Sequence, residues 1–169
     1  APLAHMGSAK ATRYHLLVPE GSAKSVADLK GKTLVTTLAR RAKFLSKIVF
    51  GGTLDATTHF KLKRTRRPLK GLRKVARGRA EATVVEDLAY RYLGELKLPK
   101  KLVSIHASER LPGLTLSLVG NDPKLGKKIL ATLPKLCLGP GKGLCKTFRV
   151  TSFGRAKASL YRKLAKRYR

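Results

Sequence analysis

A chain of 169 residues with 43% hydrophobic content has the material for one substantial core or two small ones, which excludes a disordered polycation. Its 38 Lys and Arg against 9 Asp and Glu give a formal charge of +29, a field that draws nucleic acid, acidic lipid or small oxyanions without choosing among them. No run approaches the roughly 18 apolar residues of a membrane span, and the amino terminus lacks the apolar stretch of a signal peptide.

In chain order, Ala1 to Ser8 reads as a vector-derived expression tag. Tyr14 to Val18 is a β-prone run closed by the turn residues Pro19 to Ser22. Ser25 is placed to cap one helical turn through Leu29, which Gly31 stops. Thr33 to Thr37 reads as a strand. Leu38 to Phe50 places Leu38, Ala42, Leu45 and Val49 on one helical stripe, ended by Gly51 and Gly52. Ala56 to Leu62 alternates weakly and is expected as a strand. From Leu69, the apolar Leu72, Val75 and Ala76 share a helical face while Lys70, Arg73, Lys74 and Arg77 project elsewhere. Ala82 to Val85 is expected as a strand, Glu86 to Leu93 as a helix, and Leu102 to Ala107 and Leu114 to Val119 as strands. Asp122 and Pro123 are an N-cap and a first helical residue. Further helices are expected within Gly141 to Phe148 and from near Arg155 to Tyr168. Strands alternating with helices indicate an α/β fold, a mixed or parallel sheet flanked by helices.

The charge is uneven. Residues 31–79 carry 15 basic and one acidic side chain, residues 80–112 five of each, and residues 113–169 carry 14 against one. Lys61 to Arg79 alone holds ten Lys or Arg: Lys61, Lys63, Arg64, Arg66, Arg67, Lys70, Arg73, Lys74, Arg77 and Arg79. Such a block reads either as a solvated positive face or as a salt-sensitive, sequence-indifferent contact for nucleic acid or another polyanion. It contains no aromatic residue for base stacking. Cys137 and Cys145 flank a glycine-rich loop that lets them approach. Either they form a disulfide, which implies an oxidising compartment, or they remain thiols.

Tyr14-His-Leu-Leu-Val-Pro, Asp28-Leu-Lys-Gly-Lys-Thr-Leu-Val, Val75-Ala-Arg-Gly-Arg-Ala-Glu-Ala-Thr-Val-Val and Leu111-Pro-Gly-Leu-Thr-Leu, in that order, resemble a type II periplasmic binding protein. The likeness is to the phosphate, phosphite and phosphonate-binding group that serves ABC importers. It covers nearly all of residues 13–165, and the segment from Leu144 through Phe153 to Tyr161 is similar to the family's ending. The resemblance implies a ligand-binding lobe over residues 9–120 and a helical segment over 121–169 that returns to the first lobe. A family member would carry roughly ninety further residues before Tyr14, forming most of that first lobe, so the resemblance implies either a fragment or a protein that dispenses with half of the cleft. A ligand would sit between two lobes that close by hinge motion.

In such a fold an anion is held by N–H groups and hydroxyls where strands meet helices. Thr36 and Thr37 occupy one such junction, and Arg40 and Arg41 follow where the family carries a hydroxyl-rich turn. Thr83 to Asp87 forms the second junction, where Glu86 or Asp87 either meets a cationic group or caps the next helix. The candidate ligand residues are thus Thr36, Thr37, Arg40, Arg41, Thr83 and Glu86. The histidines His5, His15, His59 and His106 are scattered, so no metal site is expected, and no cofactor. No nucleophile elbow, Walker loop or Cys/His dyad points to an enzyme. The expectation is a non-enzymatic, periplasmic or secreted solute-binding lobe for a small oxyanion. Its expected partners are an ABC permease and a homodimer mate supplying the missing wall. The alternative is a basic module binding nucleic acid or another polyanion through Lys61 to Arg79 and the C-terminal helix.

Overall fold

A computed structural model describes residues 2–6, 12–112, 115–117, 122–147, 150, 152–155 and 158–169. They divide into two units, residues 13–110 with Tyr168, and residues 1–12 with 111–167 and Arg169.

The larger unit is built on a five-stranded mixed sheet of β2 (Tyr14–Pro19), β3 (Thr33–Thr36), β4 (Lys61–Arg64), β5 (Ala82–Glu86) and β6 (Leu102–Ala107). The strand order is β4-β3-β5-β2-β6. Strand β3 runs parallel to both neighbours, whereas β2 is antiparallel to β5 and β6. Side chains alternate across a pleated strand, and the core divides accordingly. Leu16, Val18, Leu34, Ala82 and Val84 face one layer with Leu45, Val49, Phe50 and Phe60. Leu17, Val35 and Val85 face the other with Leu72, Val75 and Ala76.

The second layer is covered by α3 (Pro68–Ala76), where Pro68 takes a first-turn position that needs no N–H donor. Gly71 lets this helix approach the sheet. A Cβ there would lie 2.9 Å from Thr83 Oγ1. α4 (Asp87–Arg91) follows β5 directly and continues through a 3-10 turn at Leu93–Glu95. On the opposite layer, α1 (Ala42–Phe44) runs into a π-helical turn over Leu45–Val49, closed by the N–H of Phe50 on the carbonyl of Leu45.

Three expected elements differ here. The helix expected from Leu38 starts only at Ala42, because Thr36 Oγ1 accepts the Leu38 N–H and the chain turns through residues 38–41. The strand expected over Ala56 to Leu62 is a helical turn, α2 (Ala56–His59), followed by β4. Asp55 dictates that helix by accepting from the N–H groups of Thr57 and Thr58. The turn before Gly31 is a 3-10 turn at Ala27–Leu29, and Ser25 does not cap it. Asp28 instead accepts from the N–H groups of Lys24 and Ser25.

The smaller unit has a three-stranded antiparallel sheet of order β7-β1-β8, from β1 (Pro2–Met6), β7 (Thr115–Ser117) and β8 (Phe153–Arg155). Pro2–Met6, within the stretch expected as a tag, is its central strand. The ends of the strand expected over Leu114 to Val119 lie outside the described residues, as does Phe148. Helices α5 (Pro123–Leu136), α6 (Lys142–Thr147) and α7 (Ala158–Tyr168) complete the described structure. Asp122 accepts from the N–H of Leu125 at 2.9 Å, the cap expected at the start of α5. A disulfide joins Cys137 to Cys145.

Candidate functional site at the ends of two parallel strands

Strands β3 and β5 are parallel neighbours whose chains leave towards opposite faces. After β3 the chain enters the layer of Leu45 and Phe50; after β5 it enters the layer of Ala89 and Tyr90. Such a switch point leaves a crevice at the carboxyl ends of the strands, where open α/β sheets bind ligands. Here it holds a cavity of about 140 Å³ lined by Tyr14, Thr37, Pro68, Glu86, Leu88 and Ala89, together with Val84 and Val85.

Two of the expected ligand residues, Thr37 and Glu86, therefore meet across one cavity. Tyr14 joins them because β2 and β5 pair in a register that sets Tyr14 opposite Glu86. Its phenol donates to Glu86 Oε1 at 3.1 Å. Burial first, and then the charge and hydrogen bond of Glu86, push the Tyr14 pKa well above its usual value, while Arg41 pulls the other way. Arg41 is exposed at the end of the turn after β3. Arg40 is exposed in the turn after β3.

The other two expected residues are placed differently. Thr36 is fully buried, and its hydroxyl is engaged by the Val84 carbonyl and the Leu38 N–H. Thr83 is 1% exposed beneath α3, on the face of the sheet away from Leu16 and Leu34. Neither hydroxyl lines the cavity. Both residues alternate with cavity neighbours, so a strand residue identified from sequence lands in or under the site according to a one-residue difference.

Sequence reading missed Tyr14 and the role of Asp87. Asp87 does not contact the cavity. Its carboxylate accepts from the Arg13 N–H at 2.8 Å and lies 2.7 Å from His15 Nε2, which fixes the first turn of α4 to β2. The facing of Tyr14 and Glu86 was recoverable only from strand register. His59 and His106 serve the fold, each donating from Nε2 to a backbone carbonyl, of Val26 in a loop and of Val49 at the end of the π-helical turn respectively.

The basic block sits elsewhere on the same unit. Lys61, Lys63 and Arg64 are exposed on β4, the edge strand, where cations discourage edge-to-edge pairing. Arg66 and Arg67 are exposed in the loop to α3. Arg67, Lys70, Arg73, Lys74, Arg77 and Arg79 line a shallow groove of about 380 Å³ along the outer side of α3.

No protein-family model and no curated protein matches this sequence. Solved structures do match it. XAC2383 from Xanthomonas citri, solved with ATP, is similar at a TM-score of 0.78 and 15% identity, over 99% of this chain and 69% of that one. PhnD1 from Prochlorococcus marinus, in complex with methylphosphonate, is similar at 0.71 and 13% identity, over 98% and 69%. A binding-protein component of an ABC phosphonate transporter from Pseudomonas aeruginosa is similar at 0.65 and 15% identity, over 92% of this chain and 57% of that one. The five-stranded mixed sheet, its flanking helices and these likenesses together give this chain the fold of the type II periplasmic binding proteins.

Proposed function

We propose that this chain is a non-enzymatic solute-binding lobe that takes a small oxyanion of the phosphate or phosphonate class at the carboxyl ends of β3 and β5. The observation that carries the reading is the meeting of Thr37 and Glu86 across one small cavity at the switch point of the sheet. Thr37 offers a hydroxyl, and Arg41 adds positive potential near the Tyr14 phenol. The Glu86 carboxylate opposes a bare anion, so the favoured ligand also presents a cation or hydrogen-bond donor to Glu86. An aminoalkylphosphonate has both ends. A space of about 140 Å³ suits a ligand of a few heavy atoms and not a nucleotide.

Two likenesses support the class, since one similar protein was solved with methylphosphonate and another is a component of an ABC phosphonate transporter. The receiving partner in this reading is an ABC permease and the compartment is the periplasm or the cell exterior, which the Cys137–Cys145 disulfide suits.

The test is a thermal-shift series with 2-aminoethylphosphonate, methylphosphonate, phosphate and sulfate at constant ionic strength, since any anion screens a charge of +29. At a hundredfold excess over Kd, a specific ligand contributes about 2.7 kcal/mol, a rise of several degrees. The reading predicts that rise for a phosphonate and a smaller one for sulfate. Equal shifts for all four anions would overturn it.

A further inference from the structure

The outer face of α3 and the adjoining edge of the sheet form a surface that the small cavity does not use. From Lys61 to Arg79 there are ten cations and no carboxylate. Nine of the ten side chains are exposed and Lys74 is half-buried. Among the described residues none of them forms an ion pair, whereas His15 pairs with Asp87 and Lys101 with Glu20. A merely solvated helix face commonly intersperses both signs of charge, with acids three or four residues from the bases. Here the field is of one sign over a strand, a loop and a helix.

The arrangement is periodic. Along α3 and its C-cap, Lys70, Lys74 and Arg77 follow one another at about 6 and about 4.5 Å along the axis. On β4, Lys61 and Lys63 point to the same side about 7 Å apart, with Leu62 turned the other way. These intervals correspond to one or two steps along a nucleic-acid strand, whose charges lie about 3.4 Å apart along the duplex axis. The groove beside α3 is shallow and open, and its only apolar lining residue is Leu69, 37% exposed. That is too little apolar surface for insertion into a bilayer, and with no aromatic residue the face has no platform for unstacked bases.

We propose that the face formed by β4, the Thr65–Arg67 loop and α3 binds the phosphodiester backbone of duplex nucleic acid, without sequence preference. This is independent of the small-ligand reading, because the groove residues and the cavity residues do not overlap. Binding is dominated by counterion release, so affinity falls linearly with salt on logarithmic axes, with a slope of about −0.9 per phosphate neutralised.

The test uses the full chain and a fluorescent 20-base-pair duplex of mixed sequence, followed by anisotropy across a salt series. The variant Lys70→Gln/Arg73→Gln/Lys74→Gln/Arg77→Gln is compared with an equal-charge control, Lys30→Gln/Lys47→Gln/Lys97→Gln/Lys100→Gln, whose four positions are exposed elsewhere on the same unit. Circular dichroism and thermal melts establish that both are folded. The proposal expects the α3 variant to lose at least about tenfold in affinity and to shallow the slope by about 3 to 4, with the control close to the parent. Equal losses in the two variants would mean that net charge alone attracts DNA and would overturn the assignment. So would absence of duplex binding at 100 mM salt. Tighter α3-dependent binding to phosphatidylserine vesicles, to a polyglutamate peptide or to single-stranded DNA of the same sequence would overturn it in favour of that partner.

Discussion

Asp87 Oδ1 lies 2.7 Å from His15 Nε2, and this contact joins the first turn of α4 to the inner strand β2. The imidazole is held on its other sides as well, with Nδ1 3.3 Å from Ser104 Oγ and the ring stacked on Tyr90 at a centroid distance of 4.0 Å. Three elements, β2, β6 and α4, are therefore pinned at the edge of the candidate cavity by one carboxylate and one imidazole. Glu86 and Asp87 are adjacent in sequence, yet one carboxylate faces the cavity and the other the fold.

Burial works to raise the Asp87 pKa, but the hydrogen bond from His15, the Arg13 N–H and the nearby charges of His15 and Arg91 outweigh it and hold the carboxyl below its ordinary value. A folded-state pKa below the unfolded one contributes stability that is fully present above about pH 4 and is lost as pH falls through the folded value. Asp87→Asn is expected to lose about 1 to 3 kcal/mol at pH 7, the scale of a hydrogen bond to a charged group. In urea titrations from pH 7 down to pH 2, the gap between parent and variant should close on the acid side. A gap that stays constant across that range would show that the Asp87 charge contributes nothing.

Glu86 sets the sign of the cavity. Glu86→Gln keeps an acceptor for the Tyr14 phenol while removing the charge that opposes a bare anion. At an effective dielectric of about 20, a unit charge about 4 Å away is worth about 4 kcal/mol, so affinity for phosphate should rise at least about tenfold. Affinity for an aminoalkylphosphonate should fall over the same substitution. Isothermal titration of both ligands against both proteins reads the crossing directly, and unchanged affinities would place the ligand elsewhere.

The fold was legible where side-chain period and turn chemistry agreed. Compact β-prone and apolar runs marked β2, β3, β5 and β6, the basic amphipathic pattern marked α3, and Asp122 with Pro123 marked α5. It failed where a single polar side chain overrode the local pattern: Asp55 turned an expected strand into α2, and Thr36 delayed α1 by capturing the Leu38 N–H. The candidate site was half legible for a related reason. Thr37 and Glu86 are visible as strand ends, but Tyr14 enters only through its pairing with β5, a relation between residues 72 apart that no local window contains.

In the smaller unit, the bond between Cys137 and Cys145 closes a short loop between α5 and α6. Chain-entropy reasoning for a loop of this size gives about 2 to 3 kcal/mol of stabilisation. Cys137→Ser/Cys145→Ser should lower the urea midpoint of a transition reported by this unit and remove the parent's sensitivity to dithiothreitol. Thiol counting under denaturing conditions gives the direct readout: two free thiols in the unreduced parent would rule out the bond.

Thr83 Oγ1 is buried without a hydrogen-bond partner, and Gly71 passes over it with no room for a side chain. The two residues are coupled, and the coupling separates packing from helix propensity. On an open helix, Gly71→Ala would gain about 1 kcal/mol. Here the new Cβ would stand 2.9 Å from Thr83 Oγ1 and 3.5 Å from Thr65 Cγ2, so α3 must lift or Thr83 must rotate. Gly71→Ala is therefore expected to destabilise by about 1 to 2 kcal/mol, within the range of overpacked cores. Adding Thr83→Ala removes both the obstructing oxygen and a buried unsatisfied hydroxyl, and should return most of that loss. A double-mutant cycle in urea checks this: the coupling energy should favour the double variant by at least about 1 kcal/mol, whereas additive effects would mean that α3 moves freely over β5. Because Thr83 does not line the cavity, Thr83→Ala should also leave the phosphonate response of the thermal-shift series intact.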